Sequence, residues 1–137
     1  MIYSTDAIVL NNKKFSDSSL ICNLYSKDYG KLSIIAKGVR KLKNLNGAIL
    51  QPFNHIQLVY YYKSKRNIQT YKEASIIQRY NDITNSYDKI ILSSVMLDII
   101  NYSSIEDNPC DIIFRLINKS LEKINSSNFN HIVYYFI

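Results

Sequence analysis

The sequence predicts an α+β protein in which five strands come first and helices follow. Residues 1–80 contain five short segments rich in β-branched, aliphatic and aromatic residues, separated by turns and one long loop. After residue 80 the apolar residues recur at helical spacing instead. Five short strands joined in this way are typical of a small closed barrel. We therefore predict an OB-type barrel over residues 1–80 and a partial α-helical domain over residues 81–137.

The strands are predicted from alternation and from turn residues. In the second strand, Leu20, Cys22 and Leu24 share one face. The opposite face carries Ile21, Asn23 and Tyr25. Residues 27–30 form a hairpin turn in which Gly30 takes positive φ. The five predicted strands are 4–11, 20–26, 31–37, 55–62 and 68–75.

Two helices and the start of a third are predicted after residue 80. Asn85 is placed to cap the first, and Asn108 followed by Pro109 marks the start of the second, which runs to about residue 124. Ser126 or Ser127 begins the third. The expected core residues of the second helix are Ile113, Leu116, Ile117, Leu121 and Ile124, and those of the third are Phe129, Ile132, Val133, Phe136 and Ile137.

The first predicted helix is apolar on two sides, which is typical of a helix that is largely buried. One stripe consists of Tyr87, Ile90, Ile91 and Leu97. The other consists of Leu92, Val95, Met96 and Ile99. The apolar pattern of the third helix continues to the last residue, so we expect the chain to be part of a longer helical domain. We also expect self-association through residues 127–137.

Positive charge is concentrated in the first part of the chain. The net charge is +6, and residues 1–80 hold 13 Lys/Arg and 4 Asp/Glu, whereas residues 81–137 hold 4 and 7. The stretch 30–53 contains all three glycines and a run of cations that leads from a strand into a flexible loop. A one-sided basic field predicts a polyanionic partner, nucleic acid before anionic membrane, although a solubilising surface would have the same charge.

Cysteine content and the apolar runs predict a cytoplasmic protein. Cys22 and Cys110 are far apart and lie among apolar residues, which indicates buried free thiols. The N-terminus does not resemble a signal peptide, and no apolar run approaches the ~20 residues of a membrane span.

The sequence offers little evidence for a catalytic site. His55 and His131 have no nucleophile or carboxylate at a sequence spacing typical of a catalytic site, so we interpret both as packing residues. The acids of residues 1–80 are scattered and do not form a two-metal nuclease site; they are Asp6, Asp17, Asp28 and Glu73. Phosphate-binding glycine motifs are also lacking. We predict a protein that is not an enzyme and needs no cofactor or metal.

Nucleic-acid binding fits the residues better, because it needs cations for phosphates and aromatic rings for bases. The predicted DNA-binding cations are Lys37, Arg40, Lys41, Lys43, Lys63, Lys65 and Arg66. The loop members are expected to be mainly functional rather than structural. The candidate aromatic residues are Tyr25, Phe53, Tyr60, Tyr61, Tyr62 and Tyr71, of which about half should face the barrel core. Phosphate contacts of this kind are tolerant of sequence.

Residues 30–53 carry two motifs that resemble a known family. Ala36, Lys37, Gly38 and Arg40 fill an A-K-G-x-R pattern, and residues 47–53 read G-A-I-L-Q-P-F. Upstream, residues 16–20 resemble an acidic turn before a second strand, and TDAIVL near the start also fits. Together these segments resemble the RecO family of bacterial recombination mediators over residues 1–80.

The resemblance implies an N-terminal OB-fold followed by a helical domain. It implies binding of single- and double-stranded DNA, annealing of complementary strands, and work with RecR and the single-strand-binding protein to load the RecA recombinase near the nucleoid. Family members are much longer than this chain, and some carry a cysteine zinc site that this sequence lacks.

Two alternatives come from other functional classes. The barrel could instead dock an acidic protein partner, such as RecR, as a protein–protein adaptor. A nuclease would require metal-dependent turnover that is lost on changing Asp6 or Asp17. The sequence supports binding to a membrane surface less than either alternative, because the cations lie in loops and not on an amphipathic helix.

Overall fold

Five strands close into a barrel, and helices pack against one side of it. A computed structural model describes residues 1–104 and 108–126 of the chain. The elements in order are β1 (Ile2–Phe15), β2 (Ser19–Ser26), β3 (Gly30–Ala36), α1 (Asn46–Ile49), β4 (His55–Tyr61), β5 (Gln69–Gln78), α2 (Asn81–Thr84), α3 (Tyr87–Ser103) and α4 (Asp111–Ser126). The barrel order is β1-β2-β3-β5-β4, with β3 and β5 parallel. The predicted α+β class and five-stranded OB-fold barrel are confirmed.

Alternating residues of the strands fill the barrel, as predicted for β2. Leu20, Cys22 and Leu24 lie in the barrel core, and Val39, Leu50 and Ile49 of α1 pack with them. Burial raises the pKa of the Cys22 thiol to about 12, which makes this thiol unreactive. Cys110 is only partly buried, so the expectation of two buried thiols holds for Cys22 alone.

Strand β1 is longer than its predicted span of 4–11 because it pairs with two neighbours. It is antiparallel to β4 over its first part and to β2 over its second. A register shift between Val9 and Asn11 changes which residues face outward. After this bulge, Asn12 points inward, where its Nδ2 donates to the carbonyl of Leu50 at 2.9 Å, and Asn11 points outward.

A second core joins the barrel to the helices. Ile8, Leu10, Tyr25 and Phe53 are its contribution from the barrel. The helices supply Ile83 from α2, Met96 and Leu97 from α3, and Phe114, Ile117, Leu121 and Ile124 from α4. Phe53 reaches this core with a φ of 77°, in the left-handed region that non-glycine residues rarely adopt. The helices therefore cover the outer side of β1 and part of β2.

The helix starts differ from those predicted. Asn85 ends the short helix α2, and Ser86 caps α3 by accepting a hydrogen bond from the Lys89 backbone N–H at 3.4 Å. Helix α4 begins at Asp111, so Asn108 lies before the helix and is not its cap. Residues 81–84, to which the sequence analysis assigned no element, form α2.

The burial of α3 was predicted wrongly. Its buried residues are Ser93, Met96, Leu97 and Asn101, whereas Tyr87 and Ile99 are 78% and 63% exposed. The apolar periodicity predicted two buried sides of α3, but the described helices and strands pack against only one side.

In α4, Leu116 is also exposed rather than buried, and Phe114 takes a core position instead. The predicted third helix and His131 lie outside the described residues.

His55 packs at the seam between barrel and helices. Its ring meets Phe114 edge-on at 5.7 Å, and its Nε2 lies 3.6 Å from Oδ2 of Asp6. That nitrogen has no hydrogen-bond partner within the described part of the chain. Burial lowers the pKa of His55 below its usual 6.5, and the carboxylates of Asp6 and Glu122 oppose this shift without cancelling it.

We expect the fold to lose stability as the pH falls below about 6.5, because the unfolded chain then binds a proton that the folded His55 resists. The His55→Gln variant should lack this component. Urea unfolding at pH 7.5 and pH 5.5 measures it: the fall in the free energy of unfolding should be larger for wild type than for His55→Gln. Equal falls would show that His55 does not carry the effect.

Candidate nucleic-acid interface

Beyond the bulge in β1, the outward residues of β1–β3 lie outside the core that joins the barrel to the helices. After the bulge in β1, the register aligns Lys13, Ile21 and Ile35 in one row across the three strands. The next row is Asn11, Asn23 and Ser33. We define the outer face by these six residues, by Phe15 at the end of β1 and by Lys31 and Lys37 at the two ends of β3.

A chain of hydrogen bonds holds the middle row of this face. Asn23 Nδ2 donates to Asn11 Oδ1 at 2.8 Å, and Ser33 Oγ donates to Asn23 Oδ1 at 2.6 Å. The row is thus a fixed set of polar groups. Ser33 is only 8% exposed, so the amides of Asn11 and Asn23 are the groups that suit hydrogen bonding to a sugar, phosphate or base edge.

The tip cations, Lys63, Lys65 and Arg66, lie at one end of the outer face. Because β5 runs parallel to β3 with Gln69 beside Ile34, the β4–β5 tip lies alongside the first residues of β3. A polar groove of about 350 Å³ separates them. Its lining residues are Lys31, Leu32, Ser33, Ser64, Lys65, Arg66, Asn67 and Gln69. Lys31 was not predicted at this site, and its charge is not free, because its Nζ donates to the carbonyl of Asn101 in α3 at 2.7 Å.

Buried Gln69 fixes the shape of the tip. Its Oε1 accepts the Lys63 backbone N–H at 2.9 Å, and its Nε2 donates to the carbonyls of Lys63 and Arg66 at 3.0 and 3.1 Å. Arg66 Nη1 donates to Thr70 Oγ1 at 3.2 Å, which lays its side chain along β5. The tip cations are therefore presented by an ordered turn.

The loop cations, Lys37, Arg40, Lys41 and Lys43, lie at the other end of β3. Lys37 continues the outward alternation of β3, and Lys41 and Lys43 are exposed. The first part of the loop is joined to the β1–β2 turn, since the Arg40 backbone N–H donates to the carbonyl of Ser18 at 2.9 Å, and within the loop the Asn44 N–H donates to the carbonyl of Lys41 at 2.9 Å. The flexibility of the loop stays a prediction.

Arg40 has a structural role that the sequence analysis did not predict. Its Nε donates to the carbonyl of Ser19 at 2.8 Å and its Nη2 to the carbonyl of Ser16 at 2.7 Å. Ser16 has a φ of 56°, so the guanidinium secures a left-handed turn between β1 and β2. The expectation that the loop cations are mainly functional is wrong for Arg40; its phosphate contact stays a prediction.

The two cation groups are far apart but lie along the same strand. From Lys31 to Lys37 the chain advances six residues, or about 20 Å at the usual rise of a strand. The outer face of β1–β3 lies between them. The geometry therefore forms a track with cations at both ends, not one compact cluster.

Most of the candidate aromatic residues are not available for stacking. Tyr25, Phe53 and Tyr60 are buried. Tyr62 stacks on Tyr3 with ring centroids 4.4 Å apart, and the hydroxyl of Tyr71 donates to Asn46 Oδ1 at 2.8 Å.

Two aromatic rings are accessible beside the track. Tyr61 is 42% exposed and pairs with Thr70 beside Ile35. Phe15 is 47% exposed at the end of β1. Phe15 was missed because β1 was predicted to end at residue 11; extending its alternation past the bulge would have placed it on this face.

The acids of the barrel lie on separate elements. Asp6 is beside His55, Asp28 accepts a hydrogen bond from Thr5 at 3.0 Å, and Glu73 pairs with Lys72 at 3.7 Å. Among residues 1–104 and 108–126, no three acidic, histidine or cysteine side chains come together as a metal site would require. Over the same residues, no helix has the length and hydropathy to cross a bilayer.

Comparison with known proteins finds one family. The profile described as "Recombination protein O N terminal" matches residues 1–80. DNA repair protein RecO of Salinibacter ruber is 31% identical over 124 residues, which cover 90% of this chain and 48% of that protein. The protein of the same name from Chloroherpeton thalassium is 32% identical over 136 residues, covering 99% of this chain and 52% of that protein. The chain spans about half the length of these curated relatives.

Proposed function

Because the chain belongs to the RecO family, whose N-terminal profile matches residues 1–80, we propose that it is a DNA-binding recombination mediator in DNA repair. We assign the barrel of residues 1–80 as the DNA-binding domain and the outer face of β1–β3 as its binding surface. The observation that carries the proposal is the placement of exposed cations at both ends of β3, with fixed polar groups between them.

The cations act on phosphates. Lys37, Lys41 and Lys43 at one end and the tip cations at the other neutralise phosphates about 20 Å apart, which suits a strand of several nucleotides. Arg40 contributes through its remaining N–H groups. These contacts are blind to sequence, and Phe15 and Tyr61 offer ring faces on which any base can stack.

Annealing follows from the same contacts without a covalent step. Two complementary strands repel each other, and a surface that neutralises phosphates lowers this repulsion. Contacts that do not read bases leave the Watson–Crick edges free to find partners. The activity therefore requires neither a nucleophile nor a metal, and we propose no enzymatic reaction.

Partners are proposed from family membership. We expect single- and double-stranded DNA as ligands and RecR as a protein partner, with the single-strand-binding protein and the RecA recombinase acting indirectly at the nucleoid. The helical part from residue 81 onward is proposed to support these protein contacts.

An adaptor role is the alternative that a specific observation favours. Leu42 and Leu45 on the cationic loop are 104% and 82% exposed. Exposed leucines among lysines suit an acidic, partly apolar protein surface as well as they suit DNA. In this case the barrel would dock a protein and bind DNA weakly.

Amide chemical-shift mapping with a short oligothymidine tests the surface. Asn23, Ser33, Lys37 and Arg66 should shift, because they lie along the track, while Ile117 and Leu121 in α4 should stay in place. Shifts centred on α4, or none at a tenfold excess of oligonucleotide, would contradict the proposal. The second of these results would favour the adaptor.

A further inference from the structure

Three cations line the polar groove between the start of β3 and the β4–β5 tip. They are Lys31 from β3 and Lys65 and Arg66 from the tip. The groove has a volume of about 350 Å³, which lies at the lower end of the range of ligand pockets. Most of its other lining residues are polar, and none of the described ones is acidic. Such a site suits a small and strongly charged anion.

The helical part of the protein closes the track at this groove. Lys31 Nζ donates to the carbonyl of Asn101 at 2.7 Å, so the last turn of α3 lies next to Lys31. A Cβ on Gly30 would lie 2.7 Å from backbone atoms of Asn108, so the segment that leads into α4 also lies against the start of β3. At the other end of β3, Lys37 is exposed. The described residues therefore close one end of the track and leave the other end exposed.

Charge also opposes the continuation of a nucleic-acid strand past Lys31. The last carbonyl groups of a helix carry a partial negative charge, and α3 has no basic residue in its last turn to offset it. Asp98, three residues before Asn101, is exposed and adds a full negative charge. A phosphate beyond Lys31 would face these groups, whereas a phosphate in the groove faces three cations. Lys31 can serve both sides, because an ammonium has three N–H groups and Asn101 accepts only one of them.

We propose that this groove binds the terminal phosphate of a DNA strand, and that the strand leaves it along β3 toward Lys37. The inference rests on the proposed DNA-binding function. A terminal phosphomonoester carries about −1.5 to −2 charges at neutral pH and an internal phosphodiester carries only one, so three cations favour the end of a strand. An internal phosphate would also need a second exit for the chain, which the end of α3 and the Asn108 segment obstruct.

Competition between short oligothymidines that differ only at their ends tests this site. They have equal length and carry a 5′-phosphate, a 3′-phosphate or hydroxyls at both ends, and each displaces a labelled oligothymidine that is followed by fluorescence anisotropy. One phosphorylated form should bind wild type about tenfold more tightly than the hydroxyl form, because the terminal group adds charge-assisted hydrogen bonds. The end that produces this gain shows the direction of the strand along β3.

Two double variants locate the terminal phosphate. Lys65→Ala, Arg66→Ala removes two of the three cations of the groove and should reduce the tenfold ratio to about twofold or less. Lys41→Ala, Lys43→Ala is the matched control, since it removes the same charge from the exposed end of the track. The control should weaken the binding of all three oligonucleotides and keep their ratio.

The ratio separates this inference from the proposed function. If wild type binds the three oligonucleotides equally well, the terminal-phosphate site is overturned and DNA binding stands. If the ratio persists in Lys65→Ala, Arg66→Ala, or is lost in Lys41→Ala, Lys43→Ala, the terminal phosphate binds elsewhere and the inference is also overturned. If none of the oligonucleotides binds, both the inference and the proposed function fail.

Discussion

Replacing Gly30 with alanine should lower the free energy of unfolding by about 2–5 kcal/mol. Gly30 has a φ of 72°, which costs an L-residue about 1–2 kcal/mol. A Cβ at this position would also lie 2.7 Å from the carbonyl carbon and oxygen of Asn108. Because these are backbone atoms, the segment leading into α4 would have to move, at a cost of about 1–3 kcal/mol.

Gly38→Ala is the matched control for this prediction. Gly38 has a φ of 73°, but the nearest atom to its Cβ position is Lys41 Cε at 3.6 Å, so only the backbone cost applies. Urea unfolding of both variants should show the larger loss in Gly30→Ala. Equal losses in the two variants would mean that the Asn108 segment does not pack tightly on the β2–β3 turn.

Removing three cations of the track should weaken binding of single-stranded DNA about 100-fold at roughly 0.1 M salt. Each lost phosphate contact reduces the slope of log affinity against log salt by about 0.7 in magnitude. At that salt concentration this lowers the affinity about fivefold. The variant is Lys37→Ala, Lys65→Ala, Arg66→Ala, which removes charge from both ends of the outer face. Fluorescence anisotropy with a labelled oligonucleotide measures the change.

The control variant removes the same net charge elsewhere. Lys27, Arg79 and Lys119 are exposed cations outside the outer face, and their combined replacement by alanine should reduce affinity only slightly. If both triple variants lose the same affinity, binding depends on total charge and the track has no special role.

The barrel could be predicted from sequence because each strand has two local signals that agree. Alternation in β2 and the turn at Gly30 fix the register of neighbouring strands. The bulge in β1 has no such signal, since Asn11 and Asn12 are both polar. The predicted strand therefore ended early, and Lys13 and Phe15 were missed.

Burial of the helices was less predictable because periodicity describes one helix and burial depends on its neighbours. Ile99 and Leu116 fit apolar patterns, yet both are exposed. At the site, charge showed which loops could meet phosphates, but it did not show that Arg40 secures the β1–β2 turn. A hydrogen bond between an arginine and carbonyls 21 and 24 residues away leaves no local pattern in the sequence.

The salt dependence of single-stranded DNA binding tests the central claim most directly. We would measure the slope of log affinity against log salt for wild type and for Lys37→Ala, Lys65→Ala, Arg66→Ala. If these three side chains contact phosphates, the magnitude of the slope should fall by about 2 in the variant. The Lys27, Arg79 and Lys119 control should keep the wild-type slope. Equal slopes for wild type and the track variant would contradict the assignment of the outer face of β1–β3 as the DNA-binding surface.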